Sequence, residues 1–429
     1  MDRVCVVGLG YIGLPTAALA ASHGLRVTGV DIDPEVVRSL SGGRAHFAEP
    51  ELDDVVERVI REGLLTAQGS PSPADVFLIA VPTPVNEDKT ADLSFVRSAV
   101  RSILPSLEKG NLVIVESTIP PGTTEEEVVP ILAETGLEVG DDLFVAHCPE
   151  RVLPGRILDE LVHNDRVIGG VNKASALKAA EFYRMFVQGS VIITTARTAE
   201  TVKLVENAYR DVNIAFANEL SLLCERLGVG VWDVIKLANR HPRVNILSPG
   251  PGVGGHCIAV DPWFLVEKAP EAASLIAAAR KVNDSMPEYT VSRVASAVPE
   301  GSKVACLGVA YKADVGDTRE SPALKVICGL RNKGYQVSVV DPHVASCDGL
   351  SLVPLEEALA DADCVVLLVD HSEFKRLDLT QLRKRFDNGR LIDTRGVWSD
   401  GTAEPGAVDA AADVLAPERL PVDLSSLAG

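Results

Sequence analysis

The stretch V-C-V-V-G-L-G-Y-I-G at residues 4–13, followed by R-V-T-G-V-D at residues 26–31, decides the fold of the chain. An apolar strand leads into a G-x-G-x-x-G turn, an apolar helix follows, and an acidic residue ends the next strand. The first glycine permits a tight turn, the second lets a pyrophosphate approach the backbone at the helix N-terminus, and the third lets helix and strand pack closely. The acid can accept hydrogen bonds from a ribose diol and repels a 2′-phosphate, so we expect NAD rather than NADP. The cofactor-binding residues predicted in this stretch are Gly8, Gly10, Tyr11, Ile12, Gly13 and Asp31.

The apolar run at residues 12–21 ends in small residues, which is also a property of secretory signal peptides. The positively charged n-region of such a signal is nearly absent here, and a strand with a glycine turn precedes the run. The dinucleotide-binding interpretation is therefore preferred.

Composition excludes several classes of protein. A formal charge of −19 argues against nucleic acid as a partner, and no apolar run is long enough to span a bilayer. The eight cysteines are scattered, with neither a C-x-x-C motif nor Cys and His at zinc-binding spacing. We therefore expect a cytoplasmic chain without a metal site, and its 429 residues should form two or three domains.

Alternating strands and helices continue to about residue 190 and predict an NAD-binding domain of residues 1–190 with a parallel, doubly wound sheet. The strand pattern then weakens over residues 195–290. Within that segment, residues 199–226 form one long predicted helix, and further helices are expected from 231 and 275. This helical domain is predicted to join the two parts of the chain and to provide a subunit interface.

A third segment repeats the first. K-V-A-C-L-G at residues 303–308 matches the opening strand and first glycine, and Q-V-S-V-V-D at residues 336–341 matches the second strand and its acid. We therefore predict a second Rossmann-like domain over residues 300–400, followed by a tail at 401–429. The fold class is α/β, with two Rossmann-like doubly wound domains joined by a helical domain.

The repeat lacks the later glycines of the first motif. Ala310 takes the place of the second glycine, and Tyr311 and Lys312 follow it. Because a side-chain cation replaces a glycine cradle, we expect this domain to hold a phosphate in another way.

Two threonines follow predicted strands of the first domain. Thr83 comes after the strand at 76–81, and Thr118 after the strand at 112–115. Ligands of doubly wound sheets bind at the carboxyl ends of strands, so both are candidates for lining the cofactor. The alternative is that they cap helices.

The sequence P-G-P-G-V-G-G-H-C-I-A-V-D at residues 249–261 places Cys257 at the end of a glycine-rich loop. Such a loop exposes a thiol and lets a substrate approach the backbone. Asp261 follows one helical turn later. By contrast, Cys5, Cys306 and Cys364 lie in apolar strands and are expected to be buried hydrophobic residues.

On the long predicted helix, Lys203, Asn207 and Arg210 share one face. They are candidates for a ligand site, and the alternative is that Glu200 and Glu206 pair with these cations as on an ordinary solvated helix.

A second candidate site is H-C-P-E-R-V at residues 147–152, where an acid and a base follow a proline at the end of a strand. The alternative is a salt-bridged turn.

Taken together, these motifs resemble the nucleotide-sugar 6-dehydrogenases, which include UDP-glucose and GDP-mannose dehydrogenases. The resemblance covers nearly the whole chain. It rests on G-L-G-Y-I-G from Gly8, S-T-I-P-P-G-T-T from Ser117, C-P-E-R from Cys148, K-x-x-x-N from Lys203, G-G-H-C-x-x-x-D from Gly254 and Y-K-A-D-V-G-D-T-R-E-S-P-A from Tyr311.

Within the family, residues 148–155, 164–170 and 256–264 are most similar to the enzymes that act on UDP-N-acetyl-D-mannosamine. UDP-glucose enzymes typically have Lys before the aspartate of the cysteine loop, where this chain has Val260. They also tend to have Phe where this chain has Arg151.

The resemblance implies a four-electron oxidation of a C6 alcohol to a carboxylate, with two NAD used in turn. Cys257 would attack the intermediate aldehyde to give a thiohemiacetal, then a thioester that water hydrolyses. Lys203 and Asn207 would stabilise the oxyanion, Asp261 and Thr118 would hold the water, and Glu150 would serve as its base.

The resemblance also implies the remaining site residues. Those expected to bind the UDP-sugar are Arg151, Val152, Lys203, Asn207, Arg210, His241, Arg243, Gly254, Tyr311, Lys312 and Arg395. Arg319 would contribute to the cofactor site and Arg243 would reach across a dimer interface, so we expect a homodimer or a higher homo-oligomer.

Three alternatives to this function stay open. The same reaction on UDP-N-acetylglucosamine or UDP-glucose is one, and a non-catalytic nucleotide-binding sensor is another. A two-electron β-hydroxyacid dehydrogenase is the third, although it would not need the thiol.

Overall fold

The computed structural model describes residues 1–152, 155–386 and 390–398. The chain divides into two compact units: residues 1–206 with 263–273 form unit 1, and residues 207–262 with those from 274 onwards form unit 2. The domain boundaries predicted above stay predictions. The predicted tail at 401–429, Leu153 and Pro154 lie outside the described residues.

Unit 1 is built around an eight-stranded sheet. Its strands are β1 Arg3–Val7, β2 Arg26–Val30, β3 Leu65–Gln68, β4 Val76–Ile79, β5 Leu112–Val115, β6 Phe144–His147, β7 Arg166–Gly170 and β8 Val191–Thr195. Their order in the sheet is β3-β2-β1-β4-β5-β6-β7-β8. Buried aliphatic residues form a core on each face, which is typical of a sheet covered by helices on both sides.

The helices of unit 1 follow the strands in alternation, as the sequence predicts. They are α1 Gly13–Ser22, α2 Pro34–Ser41, α3 Leu52–Arg61, α4 Ser94–Ile103, α5 Val129–Ala133, α6 Ile157–His163 and α7 Lys173–Tyr183. A 3₁₀ turn covers Leu104–Ser106, and a π-helical turn covers Thr124–Val128.

One strand pair departs from the predicted parallel arrangement. Strands β6 and β7 are antiparallel, with Ala146 opposite Gly170 and His147 opposite Gly169. Since an antiparallel neighbour begins at the edge where the previous strand ends, β7 starts at the same edge at which β5 and β6 finish.

The long predicted helix is present as α8, Ala196–Leu227, which starts in unit 1 and continues into unit 2. The helices after it are α9 Val231–Ala238, α10 Asp261–Lys268 and α11 Ser274–Ala297. Helix α11 is longer than the sequence indicates, because it continues through the buried Pro287. Packing of that face outweighs the backbone hydrogen bond that proline removes. Among the described residues, no helix is long and apolar enough to cross a membrane.

The predicted repeat is confirmed in unit 2. Its strands β9 Lys303–Leu307, β10 Gln336–Val340, β11 Cys364–Leu367 and β12 Leu391–Asp393 form a parallel sheet in the order β10-β9-β11-β12. This is the order β2-β1-β4-β5 of unit 1. Its helices are α12 Pro322–Asn332, α13 Leu355–Ala360, α14 Ser372–Lys375 and α15 Leu379–Arg385. The predicted fold class is thus confirmed.

The acid that ends the second strand of each repeat fixes the glycine turn. Asp341 Oδ2 accepts hydrogen bonds from the backbone N–H groups of Val309 (2.7 Å) and Ala310 (3.1 Å). Its Oδ1 accepts from the backbone N–H groups of His343 and Val344. These hydrogen bonds, together with His371, hold the pKa of Asp341 at about 2 despite the opposing effect of burial.

We expect Asp341→Asn to destabilise unit 2 by about 3 kcal/mol at neutral pH, because an amide cannot accept from four N–H groups at once. The folded-state pKa is below the ordinary value, so the carboxylate's contribution is present above about pH 4 and is lost as the pH falls towards 2. Thermal unfolding at pH 7 and pH 3 should therefore show a smaller difference in melting temperature between variant and wild type at pH 3.

Asp378→Asn is the control: it changes an N-cap to an equally good cap and should have little effect at either pH. An Asp341→Asn variant as stable as wild type at pH 7 would contradict this account.

Candidate functional site

The glycine turn of unit 1 is open at the position where a pyrophosphate would approach. Gly8 has a φ of +93°, and a Cβ on Gly13 would overlap the carbonyl oxygen of Gly8. A Cβ on Gly10 would instead meet no atom within 4 Å among the described residues. The first and third glycines are therefore required by the fold, whereas the second leaves space in front of α1.

The acid of the motif lies at the edge of this space. Asp31 Oδ2 accepts from the backbone N–H of Leu9 at 2.9 Å, and its Oδ1 accepts from Asp33 at 2.9 Å. The next residue, Ile32, is 88% exposed although it is apolar. Sequence reasoning missed Ile32, and an apolar residue directly after the acid was the available signal. Tyr11 stacks on Phe47, with ring centroids 4.2 Å apart.

The two threonines at strand ends do not cap helices. Thr83 lies well before α4, and its buried hydroxyl has no hydrogen-bond partner in the part of the chain described. Thr118 Oγ1 accepts from Lys203 Nζ at 2.6 Å. The orphaned Thr83 hydroxyl, the open glycine turn and the Asp31 carboxylate are the features expected of a dinucleotide site.

Glu200 positions the loop that carries Thr118. Its carboxylate accepts from the backbone N–H groups of Gly122 (2.5 Å) and Thr124 (2.8 Å) and from the Thr124 hydroxyl. Burial raises the pKa of Glu200. The Glu200 carboxylate therefore holds this loop, a role that the alternative of pairing with cations of its own helix does not include. No local sequence pattern indicates this contact.

The loop at 147–152 is held by ion pairs from outside it. Glu150 Oε2 accepts from Arg166 Nη1, and both side chains are buried. Arg151 pairs with Glu206 at 2.7 Å and also donates to the carbonyl of Asp165. The loop is therefore salt-bridged, as the alternative interpretation of its sequence proposed, and the ion-pair partners of Glu150 and Arg151 are distant in sequence.

Two further residues of this loop, Val152 and His147, are partly or fully buried. Val152 packs, partly buried, against the core of unit 1. His147 is buried, and desolvation together with the charge of Lys203 lowers its pKa to about 3, so its imidazole is neutral.

In unit 2, Cys257 lies exposed in the turn that precedes α10. Asp261 donates its backbone N–H to the carbonyl of Cys257 at 2.8 Å, which completes one helical turn between them. The side chain of Asp261 is buried, and its Oδ2 accepts from Asn207 Nδ2 at 2.6 Å. The structure therefore brings together Cys257, Asp261 and Asn207.

The three cysteines that were predicted to lie in apolar strands are buried. Burial raises the pKa of Cys5 to about 11 and that of Cys364 to about 12, and it raises the pKa of Cys306 as well. These thiols remain protonated at neutral pH and behave as small apolar side chains.

The glycine loop of Cys257 packs on the repeat domain. A Cβ on Gly254 would lie 2.6 Å from the carbonyl oxygen of Glu320 and 3.0 Å from the Cβ of Tyr311. The Arg395 guanidinium lies against the backbone of Gly250 and is oriented by Asp370 at 3.0 Å. The predicted residues Gly254, Tyr311 and Arg395 are thus assembled around one loop.

A buried polar chain that the sequence did not reveal supports the start of this loop. Arg280 and Asn283 of α11 donate to Asp211 of α8, Asn218 donates to Asn283 at 2.8 Å, and Gly250 donates its N–H to Asn218 at 2.8 Å. Because every link is buried and hydrogen-bonded, the loop entry is rigidly placed.

Four predicted residues of unit 2 are not assembled with Cys257 by any hydrogen bond or ion pair among the described residues: Arg210, His241, Arg243 and Lys312. The backbone carbonyl of Arg319, by contrast, accepts from the N–H of Gly255 in the cysteine loop at 3.3 Å. Arg210 and Lys312 are exposed. Arg243 donates its backbone N–H to His241 Nδ1 in an exposed turn after α9. Arg319 forms a two-pronged ion pair with Asp317, at 2.9 and 2.6 Å.

One group of side chains has the composition of a metal site: Asp314, His343 and His371 offer ligand atoms within 4.8 Å of one another. Both ring nitrogens of His371 are already used, since Nδ1 accepts from the backbone N–H of Asp314 and Nε2 contacts Asp341 at 3.1 Å. The donor set therefore fits a structural hydrogen-bond network better than a metal.

Models of the UDP-glucose/GDP-mannose dehydrogenase family match as the NAD binding domain over residues 2–187, the central domain over 197–285 and the UDP binding domain over 305–400.

Two curated relatives and one solved structure illustrate the similarity. The NDP-N-acetyl-D-galactosaminuronic acid dehydrogenase of Ralstonia solanacearum is 50% identical, over 92% of this chain and 96% of its own. The UDP-N-acetyl-D-mannosamine dehydrogenase of Methanococcus maripaludis strain C7 is 49% identical, over 92% of this chain and 93% of its own. The structure of the UDP-D-ManNAc dehydrogenase from Pyrococcus horikoshii has a TM-score of 0.86 at 44% identity, covering 93% of this chain and 96% of that one.

We expect Asp31→Ser to weaken NAD binding by about 1.5–3 kcal/mol and to relax discrimination against NADP, because a charge-assisted hydrogen bond and a repulsive charge are both removed. Dissociation constants of the two cofactors, measured by calorimetry, test this. Asp33→Ser is the control, since it removes a nearby charge and preserves the N-cap of α2. An unchanged ratio of NAD to NADP affinity in Asp31→Ser would contradict the assignment.

Proposed function

The chain belongs to the UDP-glucose/GDP-mannose dehydrogenase family and is an NAD-dependent dehydrogenase of sugar nucleotides, and we propose that it oxidises UDP-N-acetyl-D-mannosamine to UDP-N-acetyl-D-mannosaminuronate. The observation that carries the chemistry is the exposed Cys257 thiol, in a turn closed by Asp261. A nucleotide sensor or a two-electron hydroxyacid dehydrogenase needs no such nucleophile.

The NAD site is proposed in unit 1. Gly8, Gly10 and Gly13 form the turn that receives the pyrophosphate, Asp31 accepts from the ribose diol, and Ile32 supports the adenine. The Thr83 hydroxyl is an available partner for the bound dinucleotide. When bound, NAD supplies the oxidising power by accepting one hydride in each of two successive oxidations.

The protein's part of the reaction is covalent catalysis by Cys257. Its sulfur forms a bond to the C6 carbon of the aldehyde and loses its proton, which gives a thiohemiacetal. Loss of the second hydride leaves a thioester, and water then breaks the C–S bond to release the carboxylate and restore the thiol. Overall, one water is consumed and three protons are released for each alcohol oxidised.

Four other residues are proposed to serve these steps. Lys203 and Asn207, one turn apart on α8, donate to the C6 oxygen as negative charge develops on it. Asp261 and Thr118 hold the attacking water. Asp261 is already oriented by Asn207, and Thr118 by Lys203, so both are fixed before substrate binds.

Glu150 is proposed as the base that takes the proton from this water. Its ion pair with Arg166 and its contact with the Arg151 backbone N–H fix its orientation. The environment of Arg166 is therefore important for this step.

The N-acetylmannosamine substrate is supported by relatives of that name at 47–49% identity. Recognition of the acetamide is proposed to involve Arg151, with His241 and Arg243 as further donors. The contacts of Arg151 with Glu206 and Asp165 use two of its five N–H groups, so others remain available to an acetyl carbonyl.

A second candidate substrate is an N-acetylgalactosamine nucleotide, because the Ralstonia relative at 50% identity is named for the corresponding uronic acid. The two sugars share the acetamide and differ in the direction of substituents at C2 and C4. UDP-N-acetylglucosamine differs from the proposed substrate only at C2, and UDP-glucose lacks the acetamide.

We also propose a homodimer formed through α8. Tyr209, Phe216 and Leu223 recur every seven residues along this helix and are 68%, 56% and 50% exposed. This spacing places them on one face, and an exposed apolar stripe of that length is typical of a helix that packs on a second copy. The proposed contribution of Arg243 to a partner's substrate site rests on this dimer.

We expect Cys257→Ala to abolish formation of the acid while NAD binding stays intact. Cys257→Ser should be nearly as poor and accumulate a slow oxygen ester, because a serine hydroxyl stays protonated at neutral pH. NADH absorbance and product analysis by mass spectrometry measure both. Cys328→Ser, which changes another exposed cysteine of unit 2, is the control and should retain activity. Full acid production by Cys257→Ala would exclude the thioester mechanism.

The substrate is tested by comparing kcat/KM for UDP-N-acetyl-D-mannosamine, UDP-N-acetylgalactosamine, UDP-N-acetylglucosamine and UDP-glucose. We expect the first to be preferred. UDP-glucose should lose about 1–3 kcal/mol of transition-state binding for each donor left without the acetamide. Equal or better turnover of any other sugar would overturn the substrate assignment and leave the four-electron mechanism standing.

A further inference from the structure

A buried carboxylate lies beside the proposed catalytic loop and has no role in the mechanism above. Glu116 directly follows β5 and is 2% exposed. Its Oε1 accepts a hydrogen bond from the Tyr183 hydroxyl at 2.6 Å, whereas its Oε2 is buried without a partner among the described residues.

Arg166 contacts both the loop at residues 147–152 and Tyr183, the hydrogen-bond partner of Glu116. Its Nη1 donates to Glu150, its Nη2 is buried and lacks a partner among the described residues, and its guanidinium carbon lies 5.2 Å from the centre of the Tyr183 ring. Among the described residues, Arg166 therefore forms its ion pair with Glu150, whereas Glu116 is held by the hydroxyl of Tyr183, on whose ring the guanidinium packs.

We propose that Glu116 is a positioning residue that controls the basicity of Glu150 through Arg166. When Glu116 carries a proton, Glu150 is the one negative charge that faces the guanidinium in this cluster. When Glu116 is ionised, a second buried negative charge faces Arg166 and Glu150, and the repulsion between the two carboxylates makes Glu150 a better acceptor for the proton of the attacking water. This role rests on the proposed function of Glu150.

The groups that influence the ionisation of Glu116 come from several elements of unit 1. The groups that face it are Arg166 at the start of β7, Glu150 and Cys148 after β6, Tyr183 of α7 and Thr16 of α1. Burial raises the pKa of Glu116 to about 7, and the charge of Arg166 limits the rise. Burial also raises the pKa of Cys148 to about 12 and that of Tyr183 above its usual value, so both stay neutral.

The test is the pH dependence of acid release in a single turnover, measured between pH 5.5 and 9 on the full chain with NAD and the sugar nucleotide that it turns over. For wild type we expect the rate to rise about threefold to tenfold around pH 7. Glu116→Gln should remain at the low-pH rate throughout, because glutamine still accepts from Tyr183 but cannot ionise. Tyr183→Phe should move the rise to higher pH, because the charged form of Glu116 loses a hydrogen bond. The apparent KM for the sugar nucleotide should change by less than about twofold.

Glu49→Gln is the matched control, because it makes the same change at another buried glutamate of unit 1, one that accepts from the backbone N–H groups of Gly155 and Ile157. It should keep the wild-type rise around pH 7. A Glu116→Gln variant that keeps that rise would overturn the proposal, as would a Tyr183→Phe variant with an unshifted rise.

A readout independent of activity separates this proposal from the proposed function. The folded-state pKa of Glu116 is above the ordinary value, so ionisation costs folding free energy as the pH rises through the range from about 4.5 to 7. The melting temperature of Glu116→Gln relative to wild type should increase across this range and level off above it. If wild type converts no sugar nucleotide to an acid, the proposed function fails while this melting curve still tests the titration of Glu116. A flat melting difference would show that Glu116 does not titrate there and would overturn the inference.

Discussion

The antiparallel pairing of β6 with β7 is the constraint on which the loop at residues 147–152 of unit 1 depends. Continued past the end of β6, the register of His147 with Gly169 places residue 150 opposite residue 166. A parallel β7 would begin at the other edge of the sheet and would carry Arg166 away from Glu150. Strand β7, to which β8 is parallel, therefore supplies the buried cation that contacts this loop, and it brings that cation to the edge where Glu116 follows β5.

Sequence analysis predicted the features that depend on neighbouring residues. The glycine turn, the acid that closes it and the exposed Cys257 loop are local patterns, and the repeat in unit 2 was visible because the same local pattern occurs twice. The direction of β7 was missed, because a short strand between α6 and α7 has the same apolar pattern whether it runs parallel or antiparallel.

The partners of the site residues were harder to predict than the residues themselves. Glu200 was considered as a partner for cations on its own helix, yet it holds a loop 76 residues away in sequence through Thr124. Arg151 and Glu206 are separated by 55 residues and form an ion pair. Such contacts follow from the way the strands are ordered in the sheet, which no single segment encodes. The resemblance to a known family identified which residues to examine, but it did not indicate how they are held.

The aspartate that follows the second strand has different roles in the two Rossmann-like repeats. Asp31 and Asp341 both accept from the backbone of the glycine turn, and Gly8 and Gly308 have nearly equal positive φ values of +93° and +95°. In unit 2, however, His371 contacts Asp341. His371 corresponds in position to Thr83 of unit 1, because His371 follows Val369 by two residues and Thr83 follows the equivalent Val81 by two residues. If the repeats descend from one ancestral domain, the glycine and the acid survived in the second copy because they close its backbone. Their presence in unit 2 therefore reflects the needs of the backbone fold rather than cofactor binding. The side chain at position 371 is what distinguishes the second repeat from the first.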